Sequence, residues 1–191
     1  MFLGLLQEKF KVTIGLQIKC QSDGSIFVRQ EVYTNKMLKK FNMAEAKGVS
    51  MPASCEESNN HKNVSGKVPY HEAVGSLMYL ATTTHPDIAF VINKAARIMD
   101  RPAEKDWNKI KCIFCYFRSS SNYGVRYTCG SGELKVFSGV DFVRHKVTRH
   151  FTMGFLAIFA DGADGADGAV SWTSQLQKKQ PFRQLKPRSL Q

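Results

Sequence analysis

No apolar run in this chain approaches the roughly 20 residues that a bilayer-crossing helix needs. The apolar stretch Phe2 to Leu6 is too short for a secretory signal and passes at once into Gln7, Glu8 and Lys9. The chain therefore reads as soluble and intracellular, in cytoplasm or nucleus, with no membrane partner. Cysteines are few: five, an odd number without regular spacing, which argues against a disulfide framework. Cys112 and Cys115 form a C-x-x-C that lacks the second ligand pair of a zinc site. They fall inside the pattern Trp107, Ile110, Phe114, Phe117, where a helix readily buries small sulfur side chains. Acidic residues are missing from Leu176 to Gln191, a tail that carries Lys178, Lys179, Arg183, Lys186 and Arg188. Without it, 22 basic residues face 16 acidic ones, so much of the net charge of +11 sits in the tail and the body is only mildly basic.

What is present is enough apolar material for a core, 43% of 191 residues, arranged with two different periodicities. Ala73, Val74, Leu77, Leu80 and Ala81 recur at helical spacing. Pro86 sets φ at the first position of a second helix, and Asp87 complements its positive end. Ile88, Val91, Ile92, Ala95, Ile98 and Met99 form that helix's buried stripe. Helices are expected at 31–42, 70–82, 86–99 and 103–118, with a core at Leu77, Leu80, Ile88, Val91, Ile92, Trp107, Ile110 and Phe114. Strands are expected at Val12 to Lys19 and Ser25 to Arg29, joined by a turn at Ser22-Asp23-Gly24. Further strands at Val125 to Cys129, Glu133 to Phe137, Phe151 to Phe159 and Ala169 to Thr173 should begin a sheet. Ala46 to Lys67 is polar and turn-rich, a linker. Ala160 to Ala169, ADGADGADGA, has turn formers at every third position and reads as a solvated loop; it lacks the terminal Glu and the spacing of an EF-hand. The fold class is α+β.

The string Lys67 to Phe90, KVPYHEAVGSLMYLATTTHPDIAF, goes further. It resembles the segment after the polymerase core in the Pol polyprotein of copia-type LTR retrotransposons, where V-P-Y, V-G-S-L-M-Y-L and R-P-D-I-A recur in this order. Ile14 to Ile18 resembles that family's L-G-I-E-I strand, and Gly24 to Gln30 its partner G-x-I-x-L-S-Q. Tyr33 to Met43 is similar to Y-x-x-x-L-L-K-K-F-N-M, Trp107 to Arg118 to W-x-x-x-K-x-x-x-x-Y-L-K, and Asn122 to Val125 to D-Y-G-L. Gly168 to Ser174 is similar to G-A-V-S-W-x-S, from the ribonuclease H domain. The resemblance implies the end of a reverse transcriptase palm at 1–30 and a helical thumb- or connection-like segment at 31–118 with its linker at 46–67. It then implies an incomplete ribonuclease H-like sheet at 119–175 and a disordered basic tail at 176–191. That sheet should lack the strands and helices that cover one face, leaving Phe151, Phe155 and Phe159 poorly buried and prone to aggregation.

Two catalytic centres are implied, and neither is complete. Polymerisation needs paired palm aspartates to hold divalent metals. The family's Y-V-D-D hairpin should precede the strand at Ile14, and this chain starts too late for it. The family's D-L-G-E linker is also missing, because Thr13 runs directly into Ile14, so the first strand is expected to be displaced. In ribonuclease H the first strand ends G-Y-S-D-A-D-F, with its first aspartate a metal ligand. The string here is Val136-Phe137-Ser138-Gly139-Val140-Asp141-Phe142, so Gly139 stands at the ligand position. Asp141 is a remnant two residues away, about 6.5 to 7 Å along a strand, too far to take over. The resemblance thus implies Mg or Mn for the ancestral enzyme, no intact catalytic or metal site, and no bound cofactor in this chain. The expected partner is an RNA–DNA hybrid or DNA, held nonspecifically through phosphates, with Lys36, Lys39 and Lys40 as candidate contacts against the plainer reading of a solvated helix face. The alternatives are a nonspecific nucleic-acid-binding module and a secreted effector-like interaction protein; the missing signal and the absence of an Arg-x-Leu-Arg string count against the latter.

The similarity stops at Lys179, where the family continues A-V-S-T-T-E-A-E. Residues 181–188 read Pro-Phe-Arg-Gln-Leu-Lys-Pro-Arg. The DNA string GCC GTT TCG ACA ACT GAA GCC GAG encodes the family motif, and read one base later it encodes the first seven of these residues, followed by Arg188 if the next base is A or G. A frameshift is therefore expected to account for the tail and to make its charges accidental, against the alternative of a genuine basic tail selected for nucleic-acid binding.

Overall fold

The computed structural model describes residues 11–13, 15–52, 68–128, 132–141, 152–160 and 168–176. Strand β1 (Lys11–Thr13) turns tightly into β2 (Leu16–Cys20), and β3 (Ile26–Arg29) follows. The single strand expected over Val12 to Lys19 is in fact a hairpin. Gly15 carries φ +77°, a conformation that costs glycine little, so Thr13 pairs with Leu16 across the turn. The next turn forms as expected: Gly24 has φ +82°, and the Asp23 carboxylate accepts from the Ser25 amide at 2.9 Å.

Helix α1 (Glu31–Lys40) is followed by α2 (Tyr70–Thr83), a 3-10 turn at Pro86–Ile88, α3 (Ala89–Ala96) and α4 (Glu104–Ser120). The helix expected at 86–99 is shorter than its apolar stripe: the 3-10 turn precedes it, and it ends at Ala96, leaving Ile98 37% exposed. Leu77, Leu80, Ile88, Ile92, Ile110 and Phe114 are fully buried, and Val91 and Trp107 pack partly against them. Burying each large side chain stabilises by roughly 1.5–3 kcal/mol. Met37 and Leu38 bring α1 into the same core, and Phe41 stacks on Phe114 with centroids 4.9 Å apart. The start of the expected linker lies along α4, where the Val49 amide donates to the Cys115 carbonyl at 3.2 Å and Ser119 Oγ donates to the Val49 carbonyl at 2.6 Å. The rest of the linker falls outside the described residues, as do most of the Ala-Asp-Gly repeat, Phe151 and residues 177–191.

Strand β4 (Gly124–Tyr127) pairs with β3, so the first sheet runs β1-β2-β3-β4, all antiparallel. This corrects the expectation that β4 would open the second sheet. The physical reason lies in Gly124: a Cβ there would sit 2.2 Å from the Val28 carbonyl oxygen, so the D-Y-G-L-like glycine permits a backbone approach that seats β4 on β3. The second sheet has the order β5-β6-β7, from β5 (Glu133–Asp141), β6 (Thr152–Ala160) and β7 (Gly168–Leu176), again antiparallel. The molecule is thus a mixture of helices and antiparallel sheets, α+β as expected. Among the described residues no helix is long and apolar enough to cross a membrane.

Candidate functional site

The string V-P-Y to P-D-I-A builds packing and a polar junction. Tyr70 is buried, and its hydroxyl donates to the Ala95 carbonyl at 3.1 Å, tying α2 to α3. Burial, with the nearby Asp106 charge, pushes that phenol up to about 12. At the break between α2 and the 3-10 turn, the Thr84 hydroxyl donates to Gln30 Oε1 at 2.7 Å inside the core. His85, 2% exposed, packs edge-on against Phe117 and places Nδ1 3.5 Å from Asp87 Oδ1. Tyr116 donates its hydroxyl to Asp87 Oδ2. Burial works against the Asp87 charge, but hydrogen bonds from His85 and Tyr116 outweigh it and hold the carboxyl below its usual range. Burial and this same carboxylate push the Tyr116 phenol up. In the sequence Asp87 presents itself only as a helix-end charge; its partner Tyr116 sits on α4 and is linked to it only through the fold.

Among the described residues, three side-chain hydrogen bonds tie the second sheet to the helices and to β4 of the first sheet. Trp172 Nε1 donates to the Ala81 carbonyl at 2.5 Å, Tyr127 OH to the Ala169 carbonyl at 2.9 Å, and Arg97 Nη2 to Thr152 Oγ1 at 3.3 Å. Two of these explain the G-A-V-S-W-like motif as a docking seam. The register puts Phe137, Leu156 and Trp172 in one row and Gly139, Gly154 and Ser174 in the next, on the face turned to the helices. Between that face and Pro86, Ala89 and Phe90 lies an open cleft of about 610 Å³.

Gly139 lines this cleft in the middle of β5, directly opposite Gly154. A Cβ at Gly139 would meet nothing within 4 Å, so the cleft has room for a side chain there. Asp141 is the last residue of β5 and pairs with Thr152. The polar groups lining the cleft are hydroxyls, those of Ser138, Thr152, Thr173 and Ser174, set among aromatic and aliphatic carbon. A divalent metal of the kind the resemblance implies needs several carboxylate oxygens, and among the described residues no three of His, Cys, Asp and Glu gather to hold one. The residues around Gly139 therefore do not fit that metal pair.

Lys36, Lys39 and Lys40 are exposed on α1. Lys40 is tied back to α2, its Nζ 2.6 Å from Glu72 Oε1, while Lys36 and Lys39 face outward. The two cysteines of the C-x-x-C do not act together: Cys112 is buried and disulfide-bonded, whereas Cys115, like Cys20, is a free thiol. The bonded Cys112 departs from the expectation drawn from the odd cysteine count; parity and spacing do not reveal which sulfurs the fold brings together.

No family model matches the chain, and no solved structure matches it. It is 31% identical over 175 residues to the retrovirus-related Pol polyprotein from transposon TNT 1-94 of Nicotiana tabacum, covering 86% of this chain and 13% of that protein. It is 27% identical over 169 residues to the retrovirus-related Pol polyprotein from transposon RE2 of Arabidopsis thaliana, covering 86% of this chain and 11% of that one. It is also 31% identical over 112 residues to secreted RxLR effector protein 161 of Plasmopara viticola, covering 58% of this chain and 75% of the effector. The chain spans only about an eighth of the Pol polyproteins it matches, yet three quarters of the effector. At 26–31% identity over most of the chain, these relatives support its being a fragment of a retrotransposon Pol polyprotein, similar to one stretch of those proteins.

Proposed function

We propose that this chain is the part of a copia-type Pol polyprotein that follows the polymerase active site and opens ribonuclease H, and that by itself it catalyses neither primer extension nor hybrid cleavage. The first sheet and helices correspond to the post-palm, thumb- or connection-like segment, and β5 to β7 to the opening of the ribonuclease H sheet. The observation that carries this reading is Gly139. It stands where the resemblance requires the first metal-binding carboxylate, in a cleft whose polar groups are hydroxyls. Two-metal hydrolysis needs carboxylates to hold the ions across attacking and leaving oxygens, and hydroxyls do not supply them.

The test is direct. Purified chain, given magnesium or manganese, should neither extend a primer nor cleave an RNA–DNA hybrid. Metal-dependent turnover that disappears in Asp141→Asn would overturn the reading. A second reading, nonspecific nucleic-acid binding, is supported by the exposed Lys36 and Lys39. Binding through phosphates should weaken steeply with salt and show no base preference. Lys36→Glu with Lys39→Glu should weaken it further, and an unchanged affinity would remove α1 from any interface. The kinship with the Plasmopara effector, named as secreted, supports an interaction role as the remaining alternative.

A further inference from the structure

β5 is an exposed edge. Every residue from Glu133 to Val140 is solvent-exposed, Leu134, Val136 and Phe137 by more than half, and among the described residues β5 pairs only with β6. The opposite edge differs, because β4 approaches β7 there through the Tyr127 to Ala169 hydrogen bond. The β5–β6 ladder is regular over nine pairs, and β5 contains no proline. Natural edge strands are blunted by proline, bulges, covering elements or charged side chains; among the described residues β5 has none of the first three, and its charges, Glu133, Lys135 and Asp141, restrict which strand can pair with it.

From the order of its residues, we propose that β5 pairs antiparallel with β5 of a second copy, about a two-fold axis through Ser138, giving one continuous six-stranded sheet. A symmetric antiparallel pair must be centred on one residue, and the charges discriminate among the centres. Centring on Phe137 sets Glu133 against Asp141, and centring on Lys135 sets two lysines against each other. Centring on Val136 leaves Asp141 without a partner within β5, centring on Gly139 sets Phe137 against Asp141 and leaves Lys135 without a partner within β5, and centring on Leu134 or Val140 overlaps only a few residues. Centring on Ser138 places Lys135 opposite Asp141 twice, Val136 opposite Val140 twice, and Phe137 opposite Gly139 twice. Opposite charges, β-branched pairs and an aromatic over a glycine are the cross-strand combinations that stabilise a sheet. The occupant of the edge is thus a second copy of this chain, selected by complementarity within β5, and the pairing does not depend on the proposed function.

Light scattering on the full chain should give a closed dimer, at twice the monomer mass, that dissociates on dilution. Lys135→Glu sets carboxylates against each other at two symmetry-related places and should weaken the dimer by roughly tenfold or more. The exchange Lys135→Glu with Asp141→Lys should restore it. Glu133→Lys, outside the overlap, should change little. A second readout is covalent. Ser138→Cys lies on the axis, with Cα atoms about 4.5 to 5.5 Å apart, and should form an intermolecular disulfide with a mild oxidant such as diamide. Val140→Cys would be about 13 Å from its copy and should not cross-link above the level of the unaltered chain. A chain that stays monomeric at all concentrations, open-ended multimers, a dimer indifferent to Lys135→Glu, or equal cross-linking at 138 and 140 would each overturn the proposal.

Discussion

The ring of Tyr127 occupies the space that a side chain at Gly168 would need. A Cβ at 168 would lie 2.2 Å from Tyr127 Cδ1 and 2.8 Å from the Arg126 carbonyl oxygen, while the Tyr127 hydroxyl reaches on to the Ala169 carbonyl. The last strand of the first sheet therefore locks the first residues of β7, and the two sheets are joined at a position only glycine can fill.

Gly168→Ala should consequently destabilise the protein by about 1–3 kcal/mol, the usual cost of overpacking a close contact. Urea denaturation followed by tryptophan emission, to which Trp172 in the docked sheet contributes, measures it. In a Tyr127→Ala background the cost should shrink, because the two residues compete for the same space. An unchanged midpoint in Gly168→Ala would show that the ring is not seated there.

The Asp87 carboxyl is held below its usual range, so it contributes stability that is fully present above the unfolded carboxylate value, near 3.9, and lost as pH falls through the lower folded value. Asp87→Asn removes that contribution. The stability gap between the two proteins should be largest at neutral pH and should close below about pH 4. Tyr116→Phe, which deletes the donor to Asp87, should shift the loss toward the ordinary carboxylate range. A gap that stays constant from pH 7 to pH 3 would refute the coupling.

Gly139→Asp should be tolerated, because a side chain there meets open space and β5 is exposed; a change within about 1 kcal/mol is expected. It should not create hybrid cleavage, since one added carboxylate does not make a two-metal site. Metal-dependent cleavage appearing in this variant would overturn the proposal that the chain lacks the other ligands.

The coding DNA supplies a test that needs no protein. Translated one base earlier from Pro181, it should read A-V-S-T-T-E-A-E. Any other reading would leave the basic tail as a selected feature and strengthen the case for phosphate binding by Lys178, Lys179 and Arg183.

The helical core was legible because its determinants are local. Leu77, Leu80, Ile92, Ile110 and Phe114 repeat at helical spacing, and all five are fully buried. The stripe at 88–99 overshot its helix because periodicity continues through turn residues such as Ile98, where backbone hydrogen bonding does not. β5, β6 and β7 overlap the expected strands, though β5 runs four residues past Phe137 and β7 three past Thr173; Phe159 is 39% exposed as expected, whereas Phe155 is partly buried and lines the cleft.

By itself the sequence determined the α+β class, the buried faces of the helices and the Asp23-Gly24 turn, and it carried the resemblance to Pol polyproteins, since each depends on residue type and short spacing. Tertiary structure decided the rest. β4 joined β3 because Gly124 lets the two backbones meet, a contact between residues nearly a hundred positions apart. The pairing of Asp87 with Tyr116, the closure of Tyr127 over Gly168 and the cleft beside Gly139 likewise arise where separate elements converge. Such contacts have no period along the chain, and only the packed fold brings their partners within bonding distance.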